Sequence, residues 1–151
     1  MSVDRYCALI RDLCELVGLP DPDGAIARGA VEVEGFEVAL GYFDNDPDAL
    51  YLNFNFGVVS SGRSLRVFRL MLEANLTIYA QDQAQLGIDT DSGAVLLIVR
   101  VPMSDGVDGT YLADTLNHYA EHGRYWRDNI LLAEDEMFES LSSGDYTWLR
   151  V

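Results

Sequence analysis

The segment 63–80 constrains the fold most, because apolar side chains cover more of it than a helix with one packing partner requires. Spacings of three and four residues place one apolar stripe along this central helix, formed by Leu65, Phe68, Leu72, Leu76 and Tyr79. A second stripe lies beside it, formed by Val67, Leu70, Met71, Ala74 and Ile78. On the narrow polar edge, Arg69 and Glu73 have the i,i+4 spacing of an ion pair. We therefore expect two packing partners, a sheet of the same chain and a second molecule.

Composition limits the class of partner. The 151 residues are 49% hydrophobic, which is enough for one sizeable core and predicts a single domain, 1–151. The formal net charge of −15 opposes binding to nucleic acid and to anionic membranes, because both attract proteins through Lys and Arg. Such acidity either serves solubility alone or suits a basic or aggregation-prone partner.

The cysteines and the N-terminal residues indicate a reducing compartment. The first ten residues lack the basic start and long apolar run of a signal peptide, and no apolar run in the sequence reaches membrane-spanning length. Cys7 and Cys14 lie on a predicted helix about 10 Å apart along its axis, which is too far for a disulfide between them. We expect a cytoplasmic protein with reduced cysteines.

Hydrophobic periodicity predicts the element order. An amphipathic helix covers Ser2–Val17, with its inner stripe at Val3, Tyr6, Ile10, Leu13 and Val17. Alternating apolar residues predict strands over 31–34, 36–42, 50–58, 83–88 and 94–103. The last helix has a buried stripe at Leu112, Leu116, Tyr119, Trp126, Ile130, Ala133, Met137 and Leu141. The predicted fold is α+β, a twisted, mostly antiparallel five-stranded sheet with three helices in the order α-β-β-β-α-β-β-α.

Two motifs suggest metal chemistry, and neither is complete. His118, Glu121 and His122 match the H-x-x-E-H pattern of a zinc peptidase, but a third ligand and a cleft are missing and a surface helix face explains them equally well. Residues 44–48 resemble the start of a calcium loop, but Asn55 stands where that loop requires Glu. The sequence also lacks a phosphate-binding glycine loop and an activated nucleophile. We predict no catalytic residue, no metal site and no cofactor.

Three short segments match a family signature. Residues 71–76 read MLEANL, residues 84–89 read AQLGID, and residues 92–93, Ser-Gly, precede an apolar strand. This arrangement resembles the LLEANL … ATLGLD … TG pattern of class I type III secretion chaperones, the Tir-chaperone family, and the order of elements agrees over most of the chain. The sequence departs from the family at 81–83, where glycines are frequent, and the tail 142–151 has no assigned role.

The resemblance implies a small, acidic, cytoplasmic bacterial homodimer. Family members bind a non-globular segment near the N-terminus of a secreted effector, hold it extended, and keep it soluble and export-competent without ATP. The implied partners are a second copy and an effector, with no nucleic acid, membrane or cofactor. Composition leaves a rival hypothesis open, an acidic inhibitor or nucleic-acid mimic that blocks a basic protein surface. A small-molecule-binding domain or enzyme of another type is a third hypothesis.

Site residues are predicted from apolar positions left over when each core stripe is assigned. We expect dimer contacts from the first stripe of the central helix, Leu65, Phe68, Leu72, Leu76 and Tyr79. Leu9 and Leu16 lie beside the stripe of the first helix and either widen the core or stay exposed. We expect them, with Leu96 and Ile98 of the last strand, to line a groove for an extended effector segment that adds a strand at a sheet edge.

Overall fold

The computed structural model describes residues 2–132, which form an α+β fold of four helices and one five-stranded sheet. The predicted fold class is confirmed. The helices are α1 (Ser2–Val17), α2 (Pro22–Arg28), α3 (Ser64–Ala74) and α4 (Gly109–Tyr125). The strands are β1 (Ala30–Val33), β2 (Phe36–Phe43), β3 (Asp46–Val58), β4 (Ala84–Ile88) and β5 (Ala94–Pro102). Three positions of the last predicted stripe, Ala133, Met137 and Leu141, lie outside the described residues.

The strands follow the order β1-β2-β3-β5-β4 in the sheet. β1 pairs antiparallel with β2, β2 with β3, and β4 with β5, which confirms the predicted antiparallel character. The β1–β2 turn consists of Glu34 and Gly35, and both have the positive φ that a two-residue hairpin turn requires. Alternate residues of the longest strand, including Leu50, Leu52 and Phe54, face the core and are buried.

The short helix α2 was not predicted, so the structure has four helices rather than three. Its signals are local. The Asp21 side chain accepts a hydrogen bond from the Gly24 N–H at 3.0 Å, and Pro22 occupies the first helical turn. Gly29 ends the helix in the left-handed conformation and donates to the Ala25 carbonyl. Seven residues are too few to show a helical period, and that is why hydrophobic patterning missed the helix.

The central helix is continuous but not uniform. Regular α-helix ends at Ala74, and the next turn, Asn75–Tyr79, is π-helical, with the Ala80 N–H bonded to the carbonyl of Asn75 five residues earlier. A short 3₁₀ turn, Ala80–Asp82, follows. A second π-helical turn, Trp126–Leu131, continues α4.

Two compact units are present within the described residues. The first comprises 2–54 and 100–120, and the second comprises 55–99 and 121–132. Three elements, β3, β5 and α4, contribute residues to both units.

In the first unit, α1 is fixed to the loop that precedes α4. The Arg5 guanidinium donates to the Val107 carbonyl, and the Asp12 carboxylate accepts the Gly109 N–H at 2.6 Å. A Cβ on Gly109 would lie 2.9 Å from the Asp12 backbone, so the close approach requires glycine. These contacts hold the apolar side of α1 in place against the core of its unit.

Candidate partner-binding surfaces

The two predicted stripes of the central helix separate into a buried and an exposed face. All members of the second stripe are buried, namely Val67, Leu70, Met71, Ala74 and Ile78. In the first stripe, Leu65, Leu72 and Leu76 are 82%, 70% and 78% exposed, and Phe68 is also exposed. The predicted ion pair is confirmed, with Arg69 Nε 3.2 Å from Glu73 Oε1. The helix therefore presents a contiguous apolar face, called the α3 face here and defined by Leu65, Phe68, Leu72 and Leu76.

Tyr79 does not belong to the α3 face, contrary to the prediction. Its side chain is fully buried, and its hydroxyl lies 2.8 Å from His122 Nδ1 and accepts the Trp126 indole N–H at 3.1 Å. Burial raises the pKa of Tyr79 above its ordinary value. The physical reason for the difference is the π-helical turn, which rotates Tyr79 away from the direction that a 3.6-residue period assigns to it.

The two histidines of the H-x-x-E-H pattern have different environments in the structure. His122 is buried and bonded to Tyr79, whereas His118 is exposed on the helix surface. The two imidazoles of the H-x-x-E-H pattern therefore differ in environment, and the sequence-based view of both as surface residues is wrong for His122. Within residues 2–132, no three His, Cys, Asp or Glu side chains cluster closely enough to hold a metal ion.

The four residues predicted to line an effector groove have different environments. Leu9 is only 1% exposed and belongs to the core of the first unit, so it widens the core stripe instead of lining a surface. Leu16, in the same unit, is 54% exposed. Leu96 and Ile98 belong to the second unit and are half-buried, with the intervening Leu97 fully buried on the core side of β5.

A depression at the end of α1 was not predicted. It has a volume of about 230 Å³ and lies between the end of α1, β1 and α4. Its apolar lining comes from Leu13, Val17, Leu19, Val31, Val33 and Leu116. Val17 was assigned to the core stripe from its spacing, and Leu19 lies after the helix. The available signal was one apolar residue at the end of the helix, Val17, and one just beyond it, Leu19.

A family model settles the relationship of the chain to known proteins. The model, described as the Tir chaperone protein (CesT) family, matches residues 9–127, well over half of the chain. The chain belongs to the Tir chaperone (CesT) family. The resemblance to class I type III secretion chaperones is thereby confirmed. The family description therefore places the chain among chaperones.

Three solved structures share the fold of this CesT-family chain. A chain of the ExsC–ExsE complex has a TM-score of 0.64 and 18% identity, over 87% of this chain and 96% of the other. A chain of the HopA1–SchA chaperone–effector complex has a TM-score of 0.60 and 17% identity, over 82% and 93%. A chain of the ExoT–SpcS complex from Pseudomonas aeruginosa has a TM-score of 0.53 and 21% identity, over 78% and 96%. No curated protein matched the sequence.

Contacts between two signature segments explain one residue of the CesT pattern. The Asn75 side chain accepts the Leu86 N–H at 2.6 Å and donates to the Leu86 carbonyl at 3.1 Å. Asn75 thereby satisfies two backbone groups on β4, which is an edge strand of the sheet.

Where the signature departs from the family, Gln83 has a φ of 54°, a left-handed conformation that favours glycine. No helix in the described part of the chain combines the length and the hydropathy needed to span a membrane.

Proposed function

We propose that this CesT-family chain works in the bacterial cytoplasm as a homodimer that binds an N-terminal segment of a secreted effector. The segment is held extended, soluble and competent for export, without ATP or a cofactor. The observation that carries this proposal is the α3 face, because a helix with its core stripe buried and three leucines more than two-thirds exposed needs a further partner.

A second copy is the proposed partner of the α3 face. A two-fold axis brings the same patch of both copies together, so one apolar helix face is sufficient to build the interface. A stable interface of this kind buries about 1,600 Å² in total. We expect Leu72→Asp to give monomers, because the carboxylates of the two copies would be buried without cations. Light scattering coupled to size exclusion at micromolar concentration measures the mass.

Val58→Asp is the matched control for this variant. Val58 is 57% exposed, lies in the same unit as Leu72, and is not part of the α3 face. The control should keep the mass of the unmodified protein. A monomeric unmodified protein, or a Leu72→Asp variant that still elutes as a dimer, would contradict the proposed interface.

The effector segment is proposed to contact the end of α1. Leu16 and Val17 are both about half exposed there, and Val17 lines a depression whose apolar residues suit a partner's apolar side chain. Exposed backbone on the adjacent edge strand β1 offers hydrogen bonds to an extended segment. Leu96 and Ile98 remain proposed contacts on β5, whereas Leu9 is excluded from the surface by its burial.

Leu16→Asp tests this site because an exposed position tolerates a charge without unfolding. We expect an unchanged melting temperature, an unchanged dimer mass, and at least tenfold weaker binding of the effector's N-terminal fragment in calorimetric titration. Val3→Asp is the control on the same helix, with 51% exposure against 54% for Leu16. Equal affinities for the two variants would exclude Leu16 from the site.

The rival function, an acidic inhibitor or nucleic-acid mimic, is favoured by the net charge of −15 alone. The salt dependence of partner affinity distinguishes the two functions. A mimic must lose its basic partner steeply as salt rises, whereas a chaperone that uses apolar pockets loses little affinity. The same titration repeated at 0.05 and about 0.5 M salt provides this comparison.

A further inference from the structure

The side of the β2–β3 hairpin that faces away from the core carries an aromatic pair. Phe43 is 50% exposed, and its ring packs edge-to-face on Tyr51 with 5.0 Å between ring centroids. Leu40 pairs with Leu52 on the buried side, so the neighbouring pair of Gly41 and Tyr51 points the opposite way. A Cβ on Gly41 would lie 3.5 Å from the Phe43 ring, which shows that the ring folds back over the strand at this position.

An ion pair holds Tyr51, the less exposed ring of this aromatic pair, in position. Arg100 donates from Nε and Nη2 to the two Asp46 carboxylate oxygens at 2.8 and 2.9 Å, and the Tyr51 hydroxyl also donates to Asp46. The Arg100 hydrogen bonds, with that of Tyr51, lower the pKa of Asp46 to about 2. Tyr51 is therefore held in one position, so a partner that docks on it loses little side-chain freedom on the protein side.

Two exposed carboxylates lie close in sequence to this aromatic pair. Asp44 directly follows Phe43 in the turn, and Asp48 is the third residue of β3, with both side chains exposed. Asp46 differs from them because Arg100 balances its charge. The electron-rich face of an exposed aromatic ring attracts a cation, and nearby carboxylates reinforce that attraction. Apolar contact and negative charge together fit a basic partner, not an acidic one.

We propose that Phe43, Tyr51, Asp44 and Asp48, called the hairpin patch, form a docking surface for a basic segment of another protein. An arginine or lysine of that segment lies over the Phe43 ring and pairs with Asp44 or Asp48. The residues that line the depression at the end of α1 include no member of the hairpin patch. The two surfaces therefore share no residue, and this second surface does not depend on the effector.

A labelled octapeptide of alternating arginine and leucine is the probe, and fluorescence anisotropy of the full chain at about 0.15 M salt is the measurement. We expect Phe43→Ser to weaken binding about tenfold, within the range of a cation–π contact. Phe43→Leu keeps apolar area but lacks the π face, so it should weaken binding to a similar extent. Tyr111→Ser is the matched control, because Tyr111 is 46% exposed and belongs to the same unit. It should change affinity less than twofold.

Charge removal requires its own control, because an acidic protein attracts any basic peptide. Asp44→Asn with Asp48→Asn should weaken binding several times more than Asp91→Asn with Asp114→Asn, two exposed carboxylates elsewhere. Equal losses in the two double variants, with no effect of Phe43→Ser, would show general electrostatic attraction and overturn the proposal. Absence of probe binding would overturn it as well. A lower mass of the Phe43→Ser variant in light scattering would identify the patch as a contact between copies, which also refutes the proposed occupant.

Discussion

Removal of the Asn75 amide tests the link between the central helix and the sheet edge. In Asn75→Ala, the N–H and the carbonyl of Leu86 both lose their partner. A hydrogen bond contributes about 0.5–1.5 kcal/mol net, and a buried backbone group left unpaired costs about 1–3 kcal/mol. Because the contact is only partly buried, water replaces some of the loss. We expect the free energy of unfolding to fall by about 2–3 kcal/mol.

Asn75→Asp is a more specific test, because it keeps the hydrogen bond from the Leu86 N–H and removes the one to the Leu86 carbonyl. The carboxylate still accepts the Leu86 N–H, but its second oxygen meets the Leu86 carbonyl, with no hydrogen between them. Protonation restores a donor, so folding favours the protonated acid and raises its pKa in the folded state. The restored stability is present below the unfolded-state pKa and is lost as pH rises through the folded-state pKa. The stability of Asn75→Asp relative to Asn75→Ala should therefore increase at acid pH.

Urea unfolding followed by circular dichroism, repeated between about pH 3.5 and 7.5, measures both effects, since the range spans the ordinary pKa of Asp. Thr77→Ala is the control. The Thr77 hydroxyl donates to the Glu73 carbonyl within the helix, so its loss leaves the hydrogen bonds to Leu86 intact. We expect a loss of at most about 1 kcal/mol for the control, which is the contribution of one hydrogen bond. If Asn75→Ala costs no more than Thr77→Ala, or if the difference between the Asp and Ala variants is independent of pH, the Asn75–Leu86 hydrogen bonds do not contribute as described.

The remaining predictions concern the histidines and the loop after the central helix. His122→Ala should lower the free energy of unfolding by about 2–4 kcal/mol, because it leaves a cavity and removes a hydrogen bond from buried Tyr79, whereas exposed His118→Ala should change it by less than about 0.5 kcal/mol. Equal thermal melts of the two variants would contradict the buried pair. Gln83→Gly should stabilise the protein by about 0.5–1 kcal/mol, since the left-handed conformation strains Gln but not Gly. A lower urea midpoint for this variant would show that the Gln83 side chain contributes more than its strain costs.

Much of the fold could be predicted from the sequence because its hydrophobic residues recur with regular periods. Alternation over β2 and β3 identified both strands and their core sides, and the α1 bounds were predicted as observed. The double stripe of the central helix predicted a second packing partner but did not show which stripe faces it; in the structure Leu65, Leu72 and Leu76 are the exposed ones. The depression at the end of α1 could not be predicted, since Val31 and Leu116 reach it from elements distant in sequence. A pattern along one element reports the direction of a side chain, not what another element places opposite it.

Tyr79 shows how a local irregularity changes the assignment of a functional face. A constant period of 3.6 residues carries the exposed stripe from Leu72 through Leu76 to Tyr79. The π-helical turn holds one additional residue between bonded groups, so the stripe ends at Leu76 and Tyr79 turns inward. The buried hydroxyl then bonds to His122 and Trp126, which fixes the end of the helix. The α3 face is therefore shorter than its sequence pattern, and the last residue of that pattern holds the face in position instead of contacting a partner.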